Sequence, residues 1–267
     1  MQLLLLLVAV SVVAGAPAVA PNARYFIQAE EAVWDYAAQG TNVCQGRDFD
    51  DVEAPYVQAT DGFVGSKVKK ALYRGYTDKT FKKYLPVSAA DRHAGMLGPV
   101  IRATVGNIIA VVFRNNLDFP VNLHVGAGVD QVISEGIEDP AVQPGDTVTY
   151  TWHITADAGP GPNDPSSIMW LYRSTVDTAT DLYSGLLGPL IVTNSKPTLA
   201  GLPLGVDREL ITVFWVNNEL GSHYAQDNYD TYADKSLGEE LPEDNEDFSQ
   251  VCPLPPILVE YGFSVGV

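Results

Sequence analysis

Gly95–Val125, GMLGPVIRATVGNIIAVVFRNNLDFPVNLHV, is the stretch on which the fold turns. Within it Ile108–Phe113 (IIAVVF) is a continuous apolar, β-branched run. Gly106-Asn107 precedes it and Asn115-Asn116 follows it, and these residues adopt tight turns readily. A short apolar run between turn signals reads as a buried strand. The stretch ends in one histidine, His124, with Gly126 two places on.

Working outward, five further segments read as strands on the same grounds. They are Arg24–Gln28 (RYFIQ), Lys69–Tyr73 (KKALY), Thr147–Ile154 (TVTYTWHI), Ile168–Tyr172 (IMWLY) and Leu186–Thr193 (LLGPLIVT). Pro144-Gly145 and Gly159-Pro160-Gly161-Pro162 supply turns between them. No window beyond the first twenty residues holds a 3.6-residue period over three turns. Short strands at such spacing predict a β-sandwich. A second unit is expected to begin near Val206, with a strand over Asp207–Val216 (DRELITVFWV). Glu239–Asp247 (EELPEDNED) reads as a solvated acidic loop, and Val251–Val267 as a divergent end that is Pro-rich, then apolar.

Residues 1–20 read as a secretory signal. Leu3–Val13 is apolar apart from Ser11, and small residues follow from Ala14 to Ala20. No later segment approaches a membrane span, so a secreted, soluble mature chain is expected. The chain has 267 residues and a formal charge of -17. This balance argues against nucleic acid as a partner, since phosphate affinity comes largely from Lys and Arg. Seven of the 16 basic residues fall between Lys67 and Lys83, the pattern of lysines on exposed edge strands. Cys44 and Cys252 are too few for a disulfide scaffold, and nothing local shows whether they pair. There is no Asn-x-Ser/Thr sequon.

Several motifs occur in a fixed order: WDYA (Trp34–Ala37), KKALYRGYTDKTF (Lys69–Phe81), LGPVIRATVGN (Leu97–Asn107), PGDTVTYTW (Pro144–Trp152), GPNDP (Gly161–Pro165) and DLYSGLLGPLIV (Asp181–Val192). Together they resemble the plastocyanin-like repeats of the ceruloplasmin and hephaestin family of multicopper oxidases, repeats that also form the A domains of coagulation factors five and eight. The resemblance implies an all-β, cupredoxin-like Greek-key sandwich, complete over 22–196. A second sandwich would begin over 206–250, before the divergent tail at 251–267. In a full-length enzyme of this kind a type 1 copper takes electrons from a substrate such as ferrous iron and passes them to a three-copper cluster that reduces oxygen. The clotting relatives use the fold mainly as a protein-binding scaffold.

The resemblance also places candidate metal residues. Two His-x-His pairs are expected at 124/126 and 173/175, where period-2 alternation would turn both rings of a pair to one side. Here these positions hold His124, Gly126, Arg173 and Thr175. Glycine cannot ligate, and a permanently cationic guanidinium opposes a metal. His124 alone remains as a copper candidate, with a hydrogen-bonded strand residue as the competing reading. No histidine follows Cys252, so a blue-copper centre is not expected within this chain. A cross-strand disulfide of the family would fall at Ser167 and Thr193, both small polar residues here. Trp152, Phe113, Trp170 and the Leu186–Ile191 run would then carry stability by packing. Ser134–Gly145 resembles, in shortened form, a calcium segment of the clotting relatives, with Glu135 and Asp139 as ligands and Pro140 in place of another. No catalytic residue is assigned. Copper belongs to the full-length family. Ferrous iron and oxygen are partners if the chain is part of a complete enzyme, and otherwise a protein partner is expected.

Overall fold

The computed structural model describes residues 21–59, 64–89, 91–126, 128–133, 141–198, 202–213 and 217–233. The signal at 1–20, the acidic run 239–247, Cys252 and the tail at 251–267 lie outside these residues. Among those described there are nine strands: β1 (Ala23–Asp35), β2 (Lys67–Tyr76), β3 (Ile101–Thr104), β4 (Ile108–Asn115), β5 (His124–Val125), β6 (Val129–Ile133), β7 (Thr147–Ile154), β8 (Ser167–Arg173) and β9 (Leu187–Thr193). The helices are short: α1 (Ala54–Val57), α2 (Thr178–Ser184) and α3 (Ala225–Tyr232). All six strands expected from composition are present. β3, β5 and β6 are added, each of five residues or fewer.

The strands form two sheets, ordered β2-β1-β4-β7-β6 and β3-β9-β8-β5. Most pairs are antiparallel, but β1–β4 and β3–β9 run parallel. The sheets stack face to face as the all-β, cupredoxin-like sandwich. Alternation builds its core: Ile109, Val111 and Phe113 of β4 and Tyr150, Trp152 and Ile154 of β7 meet Ile101, Ala103, Tyr172, Leu190 and Val192 of the other sheet. Tyr25 of β1 also ties the sheets together. Its hydroxyl donates to the Arg102 carbonyl at 3.2 Å and accepts from the Arg102 amide at 3.1 Å. Burial raises the Tyr25 phenol above its ordinary pKa, so it remains the donor this bond requires.

Tyr172 is the side chain on which the second sheet closes. It is fully buried, and its hydroxyl donates to Pro99 O at 2.7 Å. Gly188 lies opposite it on β9. A Cβ at Gly188 would come within 2.3 Å of the Tyr172 ring, and one at Gly98 within 2.4 Å of its hydroxyl, closer than any real contact. The two Leu-Gly-Pro motifs, at 97–99 and 187–189, therefore place their glycines around one phenol.

Asp207–Val216 departs from expectation. Residues 207–213 form no strand, and 214–216 lie outside the described residues. Side chains of the sandwich satisfy this segment instead of a ladder. The Ile211 amide donates to His93 Nε2 at 2.7 Å, and buried Glu209 pairs with Arg102 at 2.6 Å. DNYDTY (Asp227–Tyr232) is helical, as part of α3. Asn228 of that helix accepts from the Lys69 amide at 2.6 Å and donates to the Lys69 carbonyl at 3.2 Å. Its carboxamide thus supplies ladder-like bonds along β2, the edge strand of the first sheet. The expectation that 206–250 adds strands beside the sandwich is not met over 206–213 and 217–233: the segment packs as a strap.

The strap's most buried contact is ionic. Lys70 is 0% exposed and pairs with Glu219 at 2.5 Å. Lys70 also donates to Tyr183 O, and Glu219 Oε1 accepts from Tyr36 and Asn217. Removing one member of such a pair strands a buried charge, at a cost of about 3–5 kcal/mol. Lys70→Met is therefore expected to lower stability by that amount in urea denaturation. Adding Glu219→Gln, which keeps an acceptor for Tyr36 and Asn217, should recover about half or more of it. A double variant no more stable than Lys70→Met would show that the ion pair does not hold the strap.

Ser167 and Thr193, where the resemblance leads one to expect a disulfide, are direct partners across β8 and β9. Both are buried, and Thr193 Oγ1 donates to Ser195 O at 2.7 Å. Directly opposed antiparallel residues have Cα atoms ~4.5–5.5 Å apart, within the range a disulfide spans. Joint replacement Ser167→Cys and Thr193→Cys should give a bond under air, with a stability gain of ~3 kcal/mol that reducing agent abolishes. Two free thiols in the folded double variant would show that the register here is wrong for bridging.

Candidate functional site

The four candidate metal positions are brought together. His124 of β5 and Arg173 at the end of β8 are direct cross-strand partners, as are Val125 and Tyr172. Leu123, Val125 and Tyr172 point into the core. By alternation His124 and Arg173 share the opposite, outward face of the sheet. Gly126 follows on the same face, and Thr175 lies beyond Arg173. The outer surface at the β5 edge therefore holds one imidazole, one guanidinium, one hydroxyl and one bare backbone position.

The neighbouring rung is built from amide and hydroxyl groups. Asn122 Nδ2 donates to Thr175 Oγ1 at 3.0 Å, and the Thr175 amide donates to Asn122 Oδ1 at 2.9 Å. The Asn122 amide in turn donates to Ser174 Oγ at 3.2 Å. Ser174 donates to Asp181 at 2.5 Å, and the other oxygen of this fully buried carboxylate meets His223 Nε2 at 2.7 Å. His223 stacks on Phe119 with ring centroids 3.7 Å apart. A polar chain thus runs from Thr175 through the sheet end to the strap. Sequence reading missed Asn122, Ser174, Asp181 and His223, because the chain forms only when β5, β8, α2 and the strap meet. The one available signal was Asn122, two residues before His124 and hence on its face.

Copper requires imidazole, with thiolate as well for a type 1 site. Of the four positions only His124 offers either. Among the described residues no group of three or more His, Cys, Asp or Glu side chains is placed to hold a metal. His223 and His93 are engaged elsewhere, by Asp181 and by the Ile211 amide. Cys44 is exposed in the loop after β1, and Cys252 lies outside the described residues. The residues present do not fit a copper centre, and no reaction step is derived through one. Glu135 and Asp139, the calcium candidates, also lie outside the described residues.

A family model described as multicopper oxidase matches residues 79–197. Mouse hephaestin is 37% identical over 214 residues, covering 78% of this chain and 18% of hephaestin. Human ceruloplasmin is 36% identical over 226 residues, covering 84% of this chain and 21% of ceruloplasmin. A human protein named ferroxidase HEPHL1 is 37% identical over 224 residues, covering 79% of this chain and 19% of its own. The chain thus spans about a fifth of the length of these curated relatives. Among solved structures it is similar to a multi-copper oxidase from Pseudomonas thermotolerans, with 19% identity, a TM-score of 0.40, and 76% of this chain and 36% of that chain covered. A copper nitrite reductase from Nitrosomonas europaea gives 18%, 0.40, 74% and 50%. On the family model and its hephaestin and ceruloplasmin relatives, the chain belongs to the multicopper oxidase family.

Proposed function

We propose that this chain is the secreted N-terminal part of a hephaestin- or ceruloplasmin-like protein, and that its sandwich supports the assembly without holding copper. The observation that carries this reading is the rung His124–Arg173. A fixed cation stands across the strand pair from the one remaining imidazole, where metal binding needs a neutral ligand. The family's activity, oxidation of ferrous iron at the expense of oxygen, would then require copper ligands from elsewhere in a longer protein. The domain limits proposed are 22–196 for the sandwich and 206–250 for the start of the next repeat, behind a signal at 1–20. Calcium at Glu135 and Asp139 stays a secondary proposal, resting on the acidic character of that segment.

A second reading is favoured by the strap. A sandwich that binds its own downstream segment through Arg102–Glu209, Lys70–Glu219 and Asp181–His223 has the means to hold protein segments generally. It could then serve as a non-catalytic scaffold for a protein partner, as in the clotting relatives.

Copper titration of the purified chain tests the first reading. The expected results are substoichiometric tight copper, no blue thiolate-to-copper absorption, and no oxidation of ferrous iron above the uncatalysed rate. Joint replacement Gly126→His, Arg173→His and Thr175→His should raise copper affinity. The space around Gly126 is open to a side chain, with no atom within 4 Å of an added Cβ. Stoichiometric copper on the wild-type chain, lost in His124→Ala, would make His124 a ligand and sink the reading.

A further inference from the structure

We propose that Tyr76 and Tyr84 form an oxidation site, at which a one-electron oxidant in solution joins the two rings covalently as a dityrosine. The site does not depend on copper, and three observations of one cluster on the outer face of the first sheet carry it.

The first is the pairing of the rings. Tyr76 ends β2, and Tyr84 lies directly opposite it as an antiparallel bridge partner. The Thr77 amide donates to Lys83 O at 3.0 Å and the Leu85 amide to Gly75 O at 2.8 Å, which fixes this register. The ring centroids are 4.9 Å apart, with planes 35° from parallel. Phe81 packs edge-on against Tyr76 at 5.5 Å. Its backbone sits at φ +52°, a left-handed conformation that a bulky residue adopts only under strain, so the turn is held tightly around the pair.

The second is a shared base. Ile27 and Ala29 turn into the core, so Gln28 and Glu30 face outward by alternation. Tyr76 donates to Glu30 Oε2 at 2.5 Å and Tyr84 donates to Glu30 Oε1 at 2.7 Å. Two phenols on the two oxygens of one carboxylate bring their hydroxyl ends together, and with them the ring carbons beside the hydroxyls. Gln28 Nε2 braces the arrangement, donating to Glu30 Oε2 at 2.6 Å and to the Tyr76 oxygen at 3.1 Å. Burial, with Glu30 and Tyr84 beside it, raises the Tyr76 phenol above its ordinary pKa. Its proton therefore leaves only when an electron leaves as well, and Glu30 is placed to take it.

The third is access. Tyr84 is 58% exposed, whereas Tyr76 is 7% exposed beneath it. The core pair Tyr73–Tyr172 has centroids 5.6 Å apart, but it is buried and its hydroxyls donate to the carbonyls of Asn122 and Pro99, which are not bases. Tyr36 does donate to a carboxylate, that of Glu219, but Lys70 already holds it as an ion pair. At Tyr76 and Tyr84 a ring pair, a base and an open surface coincide.

The step takes two one-electron oxidants, such as an oxidised metal complex or an inorganic radical. The first removes an electron from Tyr84 while its hydroxyl proton passes to Glu30, which releases it to water. The second removes an electron from Tyr76 across the adjoining ring, and the proton follows the same route. The two phenoxyl radicals couple at carbons next to their oxygens, forming one C–C bond. The two ring hydrogens move to the oxygens as the rings regain aromaticity. Two phenols thus become one biphenol, two protons enter water, and two oxidants are each reduced by one electron. The bond would staple the turn that carries Lys79, Lys82 and Lys83.

The test illuminates the full chain with ruthenium tris-bipyridine and persulfate, then digests the monomer with trypsin. Cleavage after Arg74, Lys79, Lys83 and Arg92 separates Gly75–Lys79 from Tyr84–Arg92 unless the two are bonded. The expected product is these peptides joined, two hydrogens lighter than their sum, with dityrosine fluorescence and a yield independent of protein concentration. Tyr84→Phe should abolish it, and a joined product surviving in that variant would overturn the assignment. Hydroxylated Tyr84 without joined peptides, or bonding only between chains, would overturn the pairing. A yield in urea-unfolded chain equal to that of folded chain would show that the fold does not bring the rings together. Glu30→Gln, with an unchanged urea midpoint, should slow the reaction about tenfold or more. If that variant is destabilised, the wild-type rate in heavy water replaces it. An unchanged rate in either experiment overturns the role of Glu30 as base. Copper titration reports separately on the metal-free reading, so failure of one is told apart from failure of the other.

Discussion

The seating of Tyr172 governs how the second sheet is assembled and which way its side chains face. A phenol that is fully buried and donates to Pro99 O cannot be shifted by one residue without exposing the ring and burying Arg173. Burial pushes its pKa well above the ordinary phenol value, so it is held as a neutral donor in the core. The glycines at 98 and 188 make the room, one from the approach to β3 and one from β9. With this register set, Val125 turns inward with Tyr172, while His124 and Arg173 turn outward together. Ser167 comes to face Thr193 at the other end of the same strand. The candidate site and the Ser167–Thr193 pair are therefore two consequences of one packing event.

The strap shows a different economy. Residues 202–213 and 217–233 join the sandwich through buried polar and charged contacts as well as through Tyr224 and Tyr229, which pack into its apolar clusters. Arg102 takes Glu209, His93 takes the Ile211 amide, Lys70 takes Glu219, Asp181 takes His223, and Asn228 closes on the β2 backbone. Such contacts add little net stability compared with apolar burial, but they discriminate strongly against misplacement, because a slip leaves charges buried without partners. They also protect the edge strand β2 from pairing with other chains. The lysine-rich stretch from Lys67 to Lys83, expected to guard an edge by charge, guards it partly by giving the strap its partners at Lys69 and Lys70.

At the candidate site, geometry and chemistry have come apart. The strands bring 124, 126, 173 and 175 to one edge of the second sheet. The side chains there do not suit copper. Asn122, Thr175 and Ser174 hold the next rung by hydrogen bonds within the protein.

Much of this was legible from residues alone. The six long strands announced themselves through β-branched and aromatic runs between turns, because strand formation over seven or more residues is dominated by local pattern and burial. The motif order was enough to identify the family. The short strands β3, β5 and β6 were not legible, since two to five residues carry too little pattern and exist only because a longer neighbour pairs with them. Asp207–Val216 misled, because its apolar, β-branched run suits a strand while the Ile211 amide and the Glu209 carboxylate find side-chain partners more than a hundred residues away in sequence. Only tertiary structure decided that Arg173 lies directly across from His124. Local sequence specifies what a strand is made of, but the partner across the rung is set by register, and register is a property of the packed core.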